Sequence, residues 1–174
     1  DRVREEIFSV VGKERIPSMI DKGRMPYTSA TLHEIQRRAN ILPTNPVLFR
    51  KTTTDTHIGE YQIPEGTMIN MDLHQIHSRD PIFIDPERFN PDRYLCEDGV
   101  TLRKDLIERT IPFGIGKRQC AGEGLARVEL FFGLTATLQN YRVLPPVDGT
   151  PVDLTPICLN ILLPKPHELQ LVPV

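Results

Sequence analysis

Apolar residues recur every three to four positions in three stretches of the chain, which is the spacing of a helix that buries one face. These stretches predict helices over residues 2–11, about 28–41 and about 121–140. The second helix is expected to start near Thr28 or Ser29, because either residue suits an N-cap. The third helix is the longest, and its predicted buried side carries Leu125, Val128, Phe132 and Leu138.

Between and after the second and third helices, the pattern changes to short runs that are broken by turn residues. Sixteen prolines, many of them in 81–95 and 145–173, exclude long regular elements there, because proline cannot donate to a ladder or continue a helix. The pattern predicts strands over 54–63 and 67–71, followed by a short helix over 72–79. A mostly irregular stretch is predicted over 80–112, and two further strands are predicted over 158–163 and 168–172.

Composition narrows the class of protein. The 174 residues are 39% hydrophobic and 25% charged with a formal net charge of -2, which is typical of a globular domain and gives no basic field for nucleic acid. Cys96, Cys120 and Cys158 lie far apart, which disfavours a disulfide scaffold or a structural zinc site and indicates a reducing, cytosol-facing location. No apolar run reaches the roughly eighteen residues of a membrane span. Because it opens on Asp1, the chain is expected to be part of something longer.

The segment from Ile111 to Glu123 carries the strongest chemical pattern. Three glycines in nine residues require sharp turns and a close approach of the backbone to something else. The long helix follows directly, so Cys120 is expected at a helix N-terminus, where free N–H groups and the helix dipole favour a thiolate. The spacing fails both the P-loop and the dinucleotide fingerprint. On these residues alone, a small buried cysteine remains the alternative.

The pattern Phe113-x-x-Gly116-x-Arg118-x-Cys120-x-Gly122 resembles the haem-binding signature of the cytochrome P450 family, the haem-thiolate monooxygenases. The resemblance implies that Cys120 is the axial thiolate ligand of a haem iron, a ligand that favours O–O cleavage. It also implies that Phe113 shields the sulfur from water.

The same resemblance implies which further residues contact the haem. Arg118 is expected to pair with a haem propionate, since its planar fork suits a carboxylate. Arg50 matches the position of a second propionate ligand, although an exposed basic residue at a strand start is the alternative. The glycines expected to bind the cofactor are Gly114, Gly116 and Gly122.

A second motif, Glu34-x-x-Arg37, places both side chains on one face of the second predicted helix. Most such pairs are weak surface contacts, and the His33-Glu34 start of a zinc-protease pattern fails because Arg37 replaces the second histidine. The family resemblance implies a buried structural triad that an arginine from the proline-rich segment completes. Arg93 is favoured as that arginine by its position, and Arg88 is the alternative.

Two apolar segments match family segments that line the substrate pocket, although ordinary core packing explains them equally well. Their residues are Val47, Leu48 and Phe49 after the second helix and Pro156, Ile157, Cys158 and Leu159 in the tail. His74 and His77 are three residues apart but lack a carboxylate or cysteine at ligand spacing, so polar helix positions are favoured over a metal site. Lys104, Lys117 and Arg127 match a face that docks an acidic redox partner, or are scattered solvated charges.

The resemblance covers the whole chain and is closest to the microsomal branch that oxidises xenobiotics and lipids. It implies a mainly α fold with small β-sheets, the carboxyl-terminal part of the cytochrome P450 fold, within a single domain. The Glu-x-x-Arg helix is expected over about 28–41, and the two sheet regions over about 47–72 and 155–174. The irregular segment called the meander is expected over about 80–110, the haem-thiolate loop over 113–122 and the long helix over about 121–140.

For the parent protein, the resemblance implies a monooxygenase that contains haem (iron protoporphyrin IX) and uses O2 and NADPH to oxidise small apolar substrates such as xenobiotics, fatty acids or steroids. Its partners would be NADPH-cytochrome P450 reductase and cytochrome b5, with no nucleic acid. The expected location is the cytosolic face of the endoplasmic reticulum membrane, through a segment outside this chain. The fragment alone is expected to be inactive. The alternatives are a haem-thiolate isomerase or dehydratase that needs no reductase, and a non-catalytic truncated remnant.

Overall fold

The computed structural model describes residues 1–42, 49–158 and 161–174, with the side chain of Cys158 outside that description. Five α-helices carry most of its regular structure: α1 Arg2–Val10, α2 Pro26–Ala39, α3 Leu73–Arg79, α4 Lys104–Arg109 and α5 Glu123–Asn140. In this described part, 3-10 turns lie at Asp21–Arg24, Pro91–Tyr94 and Gly116–Arg118. None of these described helices is both long and apolar enough to cross a bilayer.

Among the residues that the structure describes, eight short strands form two-stranded antiparallel sheets. In the first half are β1 Arg50–Lys51, β2 Thr56–Ile58, β3 Tyr61–Ile63 and β4 Met68–Ile69. In the second half are β5 Tyr141–Leu144, β6 Ile157–Cys158, β7 Leu162–Leu163 and β8 Gln170–Pro173. The pairs are β1 with β4, β2 with β3, β5 with β8 and β6 with β7. The predicted class, mainly α with small sheets, is confirmed.

Helix α2 lies between two apolar clusters and therefore organises the fold. On one side it packs with α1 and α5 around Ile7, Met25 and Phe131, all fully buried. On the other side Ala30 packs against Tyr94 and other residues of the segments that lead to the cysteine loop. Residues 80–112, expected to be mostly irregular, include one 3-10 turn and α4, and they are held by this second cluster.

The start of α2 differs from the prediction. The helix begins at Pro26, which is favoured in the first turn because its missing N–H would have no helical partner there. Thr28 does not cap it. Glu6 of α1 instead accepts hydrogen bonds from the backbone N–H of Tyr27 at 2.9 Å and of Thr28 at 2.7 Å, and from the Thr28 hydroxyl at 2.6 Å. A carboxylate from another helix thus satisfies this terminus, which no local pattern indicates.

The predicted buried face of α5 was wrong at Leu125, which is 64% exposed. Val128, Phe132 and Leu138 are half-buried, and the fully covered positions are Phe131, Thr135 and Gln139. Two of these are polar but have hydrogen-bond partners. The Thr135 hydroxyl donates to the Phe131 carbonyl at 2.7 Å, and the Gln139 amide donates to the carbonyls of Gly12 and Arg15 at 2.8 Å each. Because these polar groups are satisfied, their face can point inward.

The strand predictions were right in region but wrong in detail. The single strand expected over 54–63 is a hairpin, because Gly59 adopts a positive φ of 59° between β2 and β3. The stretch expected as one strand over 158–163 contains parts of β6 and β7, which pair with each other. Strand β5 was not predicted, and it pairs with β8 along four residues, from Tyr141 opposite Pro173 to Leu144 opposite Gln170.

Candidate functional site

The motif residues Glu34 and Arg37 form a fully buried ion pair on α2. Arg37 donates from Nε to one carboxylate oxygen of Glu34 at 2.8 Å and from a terminal nitrogen to the other at 2.9 Å. This two-pronged geometry is the strong form of an arginine–carboxylate pair. Arg37 also donates to the backbone carbonyls of His77 at 2.8 Å and Pro86 at 2.7 Å. The pair therefore ties α2 to α3 and to the proline-rich segment.

Arg93 is the third charged residue at this site. Its Nε lies 3.2 Å from the Glu34 carboxylate, and its terminal nitrogens donate to the carbonyls of Ile84, Asp85 and Arg88 at 2.6–3.1 Å. The Glu34 carboxylate also accepts the backbone N–H of Asn90 at 2.9 Å. The alternative arginine, Arg88, takes part through its backbone carbonyl. One carboxylate and two arginines thus fix the path of residues 84–93.

The cysteine loop is held by its own backbone. Gly114 and Gly116 have φ angles of 74° and 75°, a region that side chains with a Cβ rarely adopt. The Gly114 N–H donates to the carbonyl of Ile111 at 2.9 Å, and the Cys120 N–H donates to the carbonyl of Phe113 at 2.9 Å. The second bond closes the loop and brings residue 120 back beside residue 113.

Cys120 carries an exposed, free thiol. The long helix begins at Glu123 with Gly122 as N-cap, so it starts two residues later than predicted, and Cys120 lies just before the cap. A Cβ on Gly122 would lie 3.8 Å from the Cys120 sulfur, which makes the glycine a direct neighbour of the thiol. The small-buried-cysteine alternative therefore does not apply to this exposed residue.

Phe113 and Arg118 lie on the same loop in different surroundings. The half-buried Phe113 ring lies under the Arg127 guanidinium, 5.5 Å from its centroid, and Arg127 in turn pairs with Glu123 at 2.7 Å. Arg118 is exposed in the 3-10 turn, and it forms no ion pair within residues 1–42, 49–158 and 161–174. Its guanidinium fork is therefore open to a carboxylate from outside this described part.

These groups fit a haem. Iron needs a thiolate that solvent or a cofactor can reach, and the Cys120 sulfur is exposed. A flat apolar macrocycle needs apolar neighbours, and Ile115 and Leu125, five residues before and after Cys120, are 62% and 64% exposed. Its carboxylates need a basic partner, and Arg118 offers one.

The predicted pocket-lining residues lie in two segments. In the first segment Phe49 is 42% exposed, and its carbonyl accepts a hydrogen bond at 3.0 Å from the next residue, the predicted propionate ligand Arg50, which is half-buried in β1. In the tail, Pro156 is exposed, Ile157 is 39% exposed, and the backbone of Cys158 pairs with Leu162 in the β6–β7 hairpin. The Leu162 N–H donates to the carbonyl of Ile41 at 2.9 Å, so the tail hairpin lies beside the segment that follows α2. Val47, Leu48 and Leu159 lie outside the described residues.

His77 has a connecting role that the sequence did not indicate. Its buried ring bonds to the Asn40 side chain at 3.2 Å, and its Nε2 accepts the backbone N–H of Ile111 at 3.1 Å. Burial, followed by the nearby positive charge of Arg37, lowers the pKa of His77 to about 4, so the ring is neutral near pH 7. Across the described ranges, no group of three or more His, Cys, Asp or Glu residues is arranged to hold a metal ion.

Comparison with known proteins places the chain in a family. The sequence model described as Cytochrome P450 matches residues 1–171. Cytochrome P450 2C1 of Oryctolagus cuniculus is 42% identical over 173 residues, which cover 99% of this chain and 34% of that relative. Cytochrome P450 2H1 of Gallus gallus is 40% identical over 174 residues, again 99% of this chain and 34% of the relative. The chain thus spans about a third of the length of these relatives. Since the family model covers nearly all of it, this chain belongs to the cytochrome P450 family.

Proposed function

We propose that the protein containing this chain is a haem-thiolate monooxygenase in which the Cys120 thiolate would bind the haem iron. The observation that carries the proposal is the exposed Cys120 thiol, presented at the entrance to α5 by a loop that closes through the Phe113 carbonyl. When bound, the haem supplies the activation of O2, and the thiolate favours O–O cleavage. The chain's own residues hold the ligand in place and bind the periphery of the cofactor.

Each residue around the loop has a role that follows from its contacts. Gly114 and Gly116 permit the turns, and Gly122 lies directly beside the sulfur. Phe113 covers one side of the loop and excludes water from it, with its ring held under Arg127. Arg118 binds one haem propionate, and Arg50 is the candidate for the other.

The buried triad of Glu34, Arg37 and Arg93 acts as a structural support in this proposal. It fixes the segment 84–93, and Tyr94, the next residue, packs against the residues that lead into the loop. The Tyr94 hydroxyl lies 2.6 Å from the hydroxyl of Thr110, one residue before Ile111. The triad therefore sets the position of the loop without touching it.

Partly exposed apolar residues and exposed lysines indicate the substrate class and the partners in this proposal. Apolar residues Phe49 and Ile157, partly exposed, are consistent with a pocket for small apolar molecules such as xenobiotics, fatty acids or steroids. Lys104 and Lys117 are exposed and available to an acidic redox partner, NADPH-cytochrome P450 reductase or cytochrome b5, whereas Arg127 is paired with Glu123. We place the parent protein on the cytosolic face of the endoplasmic reticulum.

The activity is tested with the full-length protein, reductase, NADPH and a panel of apolar substrates under ¹⁸O2. We expect NADPH-dependent products that contain one labelled oxygen atom per molecule. Products that form without NADPH and reductase and that carry no labelled oxygen atom would instead indicate an isomerase or dehydratase. Because the chain spans about a third of its relatives, we expect no turnover from the 174 residues alone.

Replacing Arg118 by Ala in the full-length protein is expected to speed haem loss by about tenfold or more, since hydrogen bonds to charged groups contribute roughly 1.5–3 kcal/mol. Transfer of haem to an excess of apomyoglobin measures the rate. Lys117→Ala is the matched control, because Lys117 is an exposed cation of the same 3-10 turn. Arg118→Lys should be intermediate, because it keeps the charge and loses the fork. Equal rates in Arg118→Ala and Lys117→Ala would refute the propionate role.

A further inference from the structure

The buried histidine His77 links the triad helix to the first turn of the cysteine loop. It lies in α3, where its backbone carbonyl accepts a hydrogen bond from Arg37 at 2.8 Å. Its side chain reaches Asn40, the left-handed residue that ends α2, and the backbone N–H of Ile111. One residue therefore contacts both the support of the loop and the point where the loop begins.

The hydrogen bonds fix the tautomer of this ring. Nε2 must be an acceptor, because its partner is the backbone N–H of Ile111 at 3.1 Å. A neutral imidazole then carries its proton on Nδ1, which donates to the side-chain oxygen of Asn40 at 3.2 Å. The amide nitrogen of Asn40 completes the chain by donating to Nδ1 of His74 at 3.2 Å. Every member has a partner of the opposite kind, so the arrangement is self-consistent.

From Ile111 the hydrogen bonds continue to the cysteine. The carbonyl of Ile111 accepts the Gly114 N–H, and the carbonyl of Phe113 accepts the N–H of Cys120, each at 2.9 Å. His77 supplies the acceptor for the N–H of Ile111, and this hydrogen bond is partly buried. Without this acceptor the amide would lose its partner, and the first turn of the loop would lose its anchor to α3.

We propose that His77 is a positioning residue for the thiolate loop, through the bond from the Ile111 N–H to its Nε2. The inference rests on the proposed haem-thiolate function of Cys120. The site needs a neutral acceptor at the Nε2 position, because the partner there is a backbone N–H. A glutamine can place its side-chain oxygen near that position, whereas an asparagine reaches only as far as Nδ1.

The test compares His77→Asn with His77→Gln in the full-length protein. His77→Asn is expected to raise the hydrogen-exchange rate of the Ile111 amide about tenfold, since a buried donor without its acceptor opens more readily. In the absorption spectrum of the reduced carbon-monoxide complex, it should also weaken the long-wavelength Soret band, which requires the thiolate ligand. A short-wavelength Soret band, which indicates that the thiolate ligand is lost, should appear in its place. His77→Gln should restore both readouts. Gln75→Asn is the control, because Gln75 lies exposed on the same helix and its side chain is not part of this hydrogen-bond chain.

The outcomes separate this inference from the proposed function. If the wild-type protein lacks the long-wavelength band, the haem-thiolate function fails, and the exchange rate of Ile111 still decides whether His77 anchors the loop. If both variants behave as wild type, or if both are impaired equally, His77 does not position the loop through this bond. If His77→Asn does not fold, His77→Gln decides the question. A hydrogen-exchange rate of the Ile111 amide equal to that of the wild type would support the role of His77 as the acceptor that anchors the loop, and a faster rate would overturn it.

Discussion

Replacing Glu34 by Gln should destabilise the full-length protein by about 3–5 kcal/mol, because the change leaves a buried arginine without its counter-ion. Glu34 is 0% exposed, and its carboxylate faces both Arg37 and Arg93. The carbonyls of His77 and Pro86 still accept from Arg37 in the variant, but they do not compensate its charge. Urea unfolding, followed by circular dichroism, measures the free energy of unfolding.

Glu87→Gln is the matched control for this substitution. Glu87 also pairs with an arginine of α2, Arg38, at 2.7 Å, but its side chain is 75% exposed. Exposed pairs contribute about 0–1 kcal/mol, so the control should unfold close to the wild type. Equal stabilities for Glu34→Gln and Glu87→Gln would show that the triad does not support the fold. A loss in Glu34→Gln accompanied by weaker haem retention would extend its role to the loop.

Replacing Cys120 by Ala should abolish the long-wavelength Soret band of the reduced carbon-monoxide complex, since no other residue of the loop supplies a thiolate. In the haem-free protein the substitution removes an exposed side chain, so the fold should tolerate it and the free energy of unfolding of the apoprotein should change little. Loss of the band without loss of the fold is therefore the expected result in the full-length protein.

Cys96→Ala is the control for this prediction. Cys96 is also exposed and free, but it lies in the meander, where its backbone pairs with Thr101. Its replacement should leave the band unchanged. If Cys120→Ala retained the band and Cys96→Ala lost it, the ligand would be Cys96 and the assignment of the loop would be wrong.

Local spacing was sufficient for some features of the site. Glu34 and Arg37 are three residues apart in a helix, so their contact follows from helical geometry. The turns of the cysteine loop follow from Gly114 and Gly116, whose positive φ values few other residues adopt. The triad member Arg93 could be proposed from its segment alone, but its bonds to three carbonyls depend on the path of the whole meander.

Features that depend on distant partners could not be predicted from the pattern. Helix α2 begins at Pro26 because Glu6, from another helix, caps it. Leu125, near the start of α5, is exposed, whereas Gln139 near its end is buried and donates to the carbonyls of Gly12 and Arg15, two acceptors more than 120 residues earlier in the chain. His77 bonds to an amide 34 residues further along the chain, so neither its neighbours nor its helical phase distinguished it from an ordinary polar residue.

The bond between iron and the sulfur of Cys120 is the centre of this account, and X-ray absorption at the iron edge of the haem-loaded full-length protein tests it directly. We predict one sulfur atom in the first coordination shell of the wild-type iron, and its loss in Cys120→Ala. A wild-type shell made of nitrogen and oxygen atoms only, or a sulfur signal that survives in Cys120→Ala, would contradict the account.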